Sequence, residues 1–152
     1  MSLSIVNYKP LFKGDFRDLN YQWISKYFEM EESDKKMLEN PQEYILNDGG
    51  AILIALYNEL PVGTCALIRL NHQVFELAKM AVVPNMQGKQ IGFKLGEAAI
   101  NKAKEMRALK LYLETNSVLK PALALYKKLG FQEVTGTSSP YHRCNVQMEL
   151  QL

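Results

Sequence analysis

The chain predicts an α/β fold: a mixed, mostly antiparallel sheet of about six or seven strands with helices on both faces. Three observations carry this expectation. Three strand-like runs follow one another between residues 51 and 83, separated only by short turns. Residues 51–57 are unbroken apolar, as in a strand covered on both faces. Beyond residue 90 the rhythm changes, and long helix-like segments alternate with short strands. At 152 residues the chain has the size of one domain. Residues 1–48 would be a helical region and residues 50–150 a core.

The elements follow in order. Residues 5–8 are a short apolar opening that suits an edge strand. Asp15 can cap a helix running to Phe28, with Leu19, Trp23, Ile24 and Tyr27 at helical spacing. Residues 31–48 are highly charged and read as a second helix, or as two short pieces broken near Pro41. Gly49-Gly50 releases the chain into the 51–57 strand. Residues 58–61 turn, and residues 62–70 return as the hairpin partner. Asn71-His72 is the next turn, where His72 reads as solvated. Residues 74–83 form the third strand of this meander and end at Pro84.

The second half starts with a small Gly-containing loop that opens into a helix over 91–107. A strand over 109–114 comes next, then a helix from Pro121, since Pro suits the first helical turn. Gly130 before apolar Phe131 is the pattern of a left-handed C-terminal cap. Residues 131–134 and 143–150 supply the last two strands. The final one alternates Cys144, Val146, Met148 and Leu150 with polar neighbours. Such mixed faces would let it pair with another copy in a homodimer. No internal repeat, low-complexity tract or linker interrupts the chain.

Bulk properties exclude several classes. The formal charge of +2, with basic residues spread and interleaved with acids, argues against a nucleic-acid partner. The longest apolar run, residues 51–57, is far short of the ~20 residues that span a membrane. The N-terminus has no charged-then-apolar export pattern. Cys65 and Cys144 sit in apolar, strand-like runs without metal-ligand spacing. A buried, reduced pair is expected, which suits the cytoplasm, and no metal is expected.

The loop after residue 83 carries most information. A strand–loop–helix junction aims backbone N–H groups and the positive end of a helix dipole at one point, which binds phosphate. No Gly-Lys-Ser/Thr closes the loop, and three spaced glycines are absent. It is therefore neither a triphosphate loop nor a dinucleotide loop.

Together with a second motif, this loop resembles the GNAT superfamily of acetyl-CoA-dependent N-acetyltransferases. The family's Gln/Arg-x-x-Gly-x-Gly/Ala cradle is matched by Gln87, Gly88, Lys89, Gln90, Ile91 and Gly92. Its Asn…Ala…Tyr-x-Lys-x-Gly-Phe signature is similar to Asn116, Ala122, Tyr126, Lys128, Gly130 and Phe131, with Glu114-Thr115 just before. The likeness covers about residues 50–150. Residues 1–48 match only as the family's variable acceptor-shaping helices. One departure is Gln90, where the family usually has Gly. Gly allows close approach of backbone to ligand. Gln keeps its N–H, so the cradle survives if the side chain turns outward.

The resemblance implies a GNAT-like sheet and a cavity that takes acetyl-CoA. Its pyrophosphate would sit on Gln87, Gly88, Lys89, Gln90, Ile91 and Gly92, with Lys89 or Lys94 adding charge. Gly92 and Gly96, one turn apart, would let another backbone or the cofactor approach closely; close helix–sheet packing is the alternative, and both can hold. The third strand would contribute Ala81 and Val82 to cofactor binding. Beside a bulge, where that strand splays from the next, the Met80 backbone N–H would stabilise the oxyanion. Tyr126 is the implied acid, because a phenol holds its proton to about pH 10. A packed core tyrosine is the alternative. Glu76 is the implied base. On a regular strand it would lie about 13 Å from Met80, so it would act through water, or else simply pair with a Lys or face solvent. Asn116 can bond the pantetheine arm or cap the helix before Pro121.

The function implied is transfer of an acetyl group from acetyl-CoA to a primary amine, small-molecule or peptide, by direct attack in a ternary complex. Neither cysteine lies in a reactive setting, which disfavours a covalent acetyl-enzyme. The alternative is an acyl-CoA sensor or scaffold without turnover, a reading that Gln90 favours. For the acceptor, Trp23 and Tyr27 offer an aromatic wall beside the acids Glu29, Glu31, Glu32 and Asp34. Acids favour a cationic amine, whereas Tyr141 and Arg143, near the last strand, favour a carboxylate-bearing one, with a surface ion pair the alternative for Arg143. The two cues conflict.

Overall fold

A computed structural model describes residues 2–135 and 143–152. Seven strands form one sheet in the order β1-β2-β3-β4-β5-β7-β6. These are β1 (Leu3–Asn7), β2 (Ala51–Tyr57), β3 (Leu60–Arg69), β4 (Val74–Val82), β5 (Lys110–Thr115), β6 (Gln132–Val134) and β7 (Val146–Gln151). Every pairing is antiparallel except β4 with β5. The helices are α1 (Lys13–Tyr27), α2 (Glu32–Glu39), α3 (Ile91–Glu105) and α4 (Lys120–Leu129). A mixed, mostly antiparallel sheet with helices on both faces is what the sequence predicts.

Strand β2 shows why both faces are covered. Its alternate residues Leu53 and Ala55 join Leu67, Phe75, Leu77, Leu95, Ala99 and Leu111 in a core under α3. Ile52 and Ile54 face the other way, onto Phe16, Ile24, Leu38 and Ile45. Full burial of such a side chain stabilises the fold by about 1.5–3 kcal/mol. The small residues of α3 have a separate purpose. A Cβ on Gly92 would meet Leu125 at 3.3 Å, and one on Gly96 would strike Leu129. The pair therefore admits α4 to close contact with α3, a helix–helix contact rather than the expected helix–sheet one, while Gly92 also borders a cavity.

Several boundaries differ from expectation. Helix α1 begins at Lys13, so Asp15 lies within its first turn and does not cap it. The charged 31–48 segment is two pieces: α2, then a π-helical turn over Gln42–Leu46 just after Pro41. Asn58 and Glu59 both have positive φ (51° and 70°), so they alone make the β2–β3 hairpin turn. Strand β3 consequently resumes at Leu60. Strand β7 begins at Val146, leaving Arg143 and Cys144 in the approach to it. It is flanked by β5 and β6, so both of its edges are used within the chain. Edge-to-edge pairing of two copies through this strand is therefore not available. The left-handed cap of α4 is present: Gly130 has φ 106°, and the Phe131 N–H donates to the Tyr126 carbonyl at 3.0 Å.

Candidate active site

The site begins where the sheet fails to stay closed. Strands β4 and β5 are matched only over Val74–Lys110, Phe75–Leu111 and Glu76–Tyr112. Among the described residues, β4 has no strand partner on that side from Leu77 onward. On its other side, Ala78 faces Ala66 and Ala81 faces Thr64. Lys79 and Met80 thus stand together opposite the single residue Cys65. This is a β-bulge, and Lys79 takes the left-handed conformation at φ 52°. The bulge implied by the resemblance is there, with Met80 in it.

A cavity of about 530 Å³ opens at this gap. It is lined by Glu76, Met80, Ala81 and Val82 of β4 and by Gln87, Gly88, Gln90, Ile91 and Gly92 of the loop and the start of α3. Glu114, Asn116 and Tyr126 also line it, as do Trp23, Tyr27 and Phe28 from α1 and the residue after it. Of the sequence-predicted site residues, Glu76, Met80, Ala81, Val82, Gln87, Gly88, Gln90, Ile91, Gly92, Asn116, Tyr126, Trp23, Tyr27 and Arg143 all border this one space. Lys89 and Lys94 are exposed, the acids Glu29, Glu31, Glu32 and Asp34 do not line it, and Tyr141 lies outside the described residues.

The loop end has the properties of an anion cradle. Gln90 occupies the N-cap of α3 at φ 62°, and no side chain caps the helix. The first turn of α3 contains no acidic residue either. A helix of 15 residues therefore presents uncapped N–H groups and an uncompensated positive end. Gly88 has φ 84°, and a Cβ there would meet nothing within 4 Å. The Ile91 side chain is buried in the core, so only its backbone serves the loop. Gln87 Nε2 donates to the Val82 carbonyl at 3.5 Å, tying the loop to the end of β4. Lys94 is exposed. Lys128 borders the cavity, as Lys79 and Arg143 do, and its Nζ lies 4.6 Å from the Phe93 ring centre.

The titratable groups divide by environment. Burial pushes the Glu76 carboxyl up to about 7, the charge of Glu114 adds to the effect, and Lys79 and Arg143 oppose it. Burial likewise pushes the Tyr126 phenol up to about 12. The ring packs edge-on against Phe131 at 6.1 Å. The Cys65 thiol is buried and also held at about 12, far from thiolate formation. Cys144 differs from its expected burial in a strand: it is half-buried and borders the cavity.

Two roles change. Asn116 does not cap α4, whose N-cap is Leu119. Its Oδ1 accepts from the Val118 N–H at 2.9 Å, and its Nδ2 donates to the Arg143 carbonyl at 2.6 Å. Arg143 in turn spends its guanidinium on acids. Its Nη1 and Nη2 reach the two Asp34 oxygens at 2.6 and 2.7 Å, and Nη1 lies 3.4 Å from Glu31. The conflicting acceptor cues are therefore partners of one another. Arg143 is committed to protein carboxylates, which removes the reason to expect a carboxylate-bearing acceptor.

Sequence reasoning missed Glu114 and Lys79 as cavity residues. Glu114 shares a β5 face with Tyr112, whose hydroxyl donates to it at 2.9 Å; strand alternation could have placed it. Lys79 pairs with Asp34, 45 positions away, and no local signal marks that.

The cavity's surroundings have counterparts among known proteins. A model of the Acetyltransferase (GNAT) family matches residues 17–131. The chain is similar to the uncharacterized N-acetyltransferase YjgM of Escherichia coli (strain K12), 39% identical over 72 residues. That match covers 47% of this chain and 43% of the relative, so it spans less than half of the relative's length. The fold is similar to a GNAT-family acetyltransferase from Staphylococcus aureus Mu50, at 26% identity over 99% of each chain and a TM-score of 0.88. It is also similar to a Bacillus subtilis acetyltransferase solved in complex with CoA, at 21% identity over 99% of each chain and a TM-score of 0.76.

Proposed function

Because this chain belongs to the GNAT family of acetyltransferases, we propose that its cavity carries acetyl transfer from acetyl-CoA to a primary amine by direct attack. One observation supports this reading above the rest. A single space joins the uncapped N-terminus of α3, the bulge of β4 and the Tyr126 ring.

The residues present fit the cosubstrate. The α3 N-terminus lacks both a cap and an acid, so a pyrophosphate supplies the charge it lacks. The backbone of Gln87, Gly88, Lys89, Gln90, Ile91 and Gly92 would hold that group. Ala81 and Val82, on the open edge of β4, would hold the arm beside Asn116. Acetyl-CoA bound there supplies an acetyl group on a thioester.

The chain's own groups account for the proton movements. Transfer forms a C–N bond and breaks a C–S bond, so the amine loses a proton and the thiolate gains one. Glu76, with its carboxyl near 7, takes the first proton through water. Tyr126, with its phenol near 12, keeps a proton to give to the sulfur. The Met80 N–H, in a bulge and unmatched to β5, faces the charge that develops on the carbonyl oxygen. Cys65 stays a thiol and forms no acyl-enzyme.

The test is a calorimetric titration with acetyl-CoA, followed by thiol release against a panel of amines. Saturable binding and more than one equivalent of free CoA are expected. Binding without release would instead mark an acyl-CoA sensor, and no binding would overturn the cradle.

A further inference from the structure

The geometry points to Asp34 as a positioning residue that sets the Met80 peptide through Lys79, an inference that rests on the acetyl-transfer reading above. Lys79 is the bulge residue and holds a left-handed φ of 52°, which a side chain with a Cβ adopts only under constraint. The strand ladder brackets the bulge with the matched pairs Ala66–Ala78 and Thr64–Ala81 but does not match Lys79 itself, and β5 has already diverged. The ammonium adds a fixed point inside the bulge: Nζ lies 2.7 Å from Asp34 Oδ1, with both side chains buried.

Asp34 can act as an anchor because its own position is fixed. It is the third residue of α2 and closes a capping box with Glu31, accepting the Glu31 N–H at Oδ2 (3.1 Å). The Arg143 guanidinium grips both of its oxygens. Its two oxygens thus accept four hydrogen bonds, from Glu31, Lys79 and Arg143. Burial alone would raise the Asp34 carboxyl, yet the Arg143 bonds and the Lys79 charge hold it below its ordinary value. It therefore keeps its charge throughout the neutral range.

The consequence concerns the reaction. The peptide after Lys79 is the one whose N–H belongs to Met80. A bulge held at one end by a rigid ion pair aims that N–H in one direction, and preorganised donors need no reorientation as charge develops. Asp34 and Lys79 thus act on the reacting atoms through the backbone. They need not touch the substrate.

The test uses Lys79→Met in the full chain, which removes the ammonium and leaves the Asp34–Arg143 pair intact. Lys79→Arg is the conservative rescue. Lys110→Met is the control, since it breaks the Lys110–Glu149 pair (3.1 Å) elsewhere on the sheet. The expected result is a kcat reduced at least tenfold in Lys79→Met, with acetyl-CoA affinity within twofold. Lys79→Arg recovers most of the rate, and Lys110→Met matches the parent. A second readout does not need turnover. The Met80 amide resonance in ¹⁵N-labelled protein moves in Lys79→Met and in Asp34→Asn, but stays in Lys110→Met. An unmoved Met80 amide, or an unchanged kcat in folded Lys79→Met, overturns the inference. Absence of CoA release from the parent protein would overturn the acetyl-transfer reading instead, and the amide shift would still decide the positioning.

Discussion

Glu76 of β4 and Tyr112 of β5 are the last residues that the two parallel strands hold opposite each other. One residue further along β4 the sheet is open. The Tyr112 hydroxyl bonds Glu114 rather than Glu76, so a hydrogen-bonded carboxylate and a second one both line the cavity. Among the described residues no group donates a hydrogen bond to Glu76. Burial and the Glu114 charge then favour its protonated form.

That environment gives Glu76→Gln a double signature. In the folded protein the carboxyl sits at about 7, against an ordinary 4.5, so the native state holds this proton more tightly than the unfolded chain. The stabilising contribution is fully present below pH 4.5 and is lost as pH rises through 7. Replacement by neutral Gln therefore raises Tm at pH 8 and leaves it nearly unchanged at pH 4. Turnover moves the opposite way. In the parent, kcat/KM climbs through pH 7 as the base ionises; in Glu76→Gln the rate falls about 10²-fold and that limb disappears. Differential scanning and pH–rate profiles read both. A retained limb near pH 7 would sink the assignment.

Tyr126→Phe separates chemistry from packing. The ring keeps its edge-on contact with Phe131, and among the described residues the hydroxyl has no hydrogen-bond partner to lose. Stability and acetyl-CoA affinity should stay within experimental scatter, whereas thiol release drops about 10²-fold. Equal loss of binding and turnover would make Tyr126 a wall of the site instead of its acid.

The contrast between these residues shows what a sequence conveys. The junction from Val83 to Gly92 was readable because a strand, a Pro and a Gly-containing loop follow in direct succession, and each is a local signal. The double-faced strand β2 was readable for the same reason. The Asp34–Lys79 and Asp34–Arg143 pairs span 45 and 109 positions, and their composition resembles an ordinary solvated helix start. Only the fold brings them together. The bulge at Lys79 is similarly silent, since nothing in Ala78-Lys79-Met80 demands a left-handed residue. Gly96 was visible as a small residue, but the partner that fits it, Leu129, was not.

Gln90→Gly tests the one departure from the family's cradle. Gln90 holds φ 62°, a conformation that costs a residue with a Cβ about 1–2 kcal/mol and costs glycine almost nothing. Glycine's greater freedom in the unfolded chain offsets part of that gain. A net stabilisation of about 0.5 kcal/mol is expected, with acetyl-CoA affinity equal or tighter. Calorimetry and thermal melts check both. A tenfold weaker complex would instead mean that the Gln90 side chain itself grips the ligand.

Gly50→Ala probes the junction that delivers the chain from the acceptor-side helices into β2. The Gly50 N–H donates to the Ile45 carbonyl at 2.9 Å, closing the π-helical turn. A Cβ at this position would strike the Leu67 carbonyl oxygen and come within 2.8 Å of the Ile45 carbonyl oxygen. Both obstacles are backbone in a buried sheet and turn, so neither can swing aside as a side-chain tip could. Overpacking of this kind costs about 3 kcal/mol, or roughly 6–12 °C in Tm for a chain of this length. The strain falls on β2 and β3, away from the α3 cradle, so acetyl-CoA affinity measured well below the melt should be unchanged. A Tm within 2 °C of the parent would show that the turn over residues 42–46 can move away from β3.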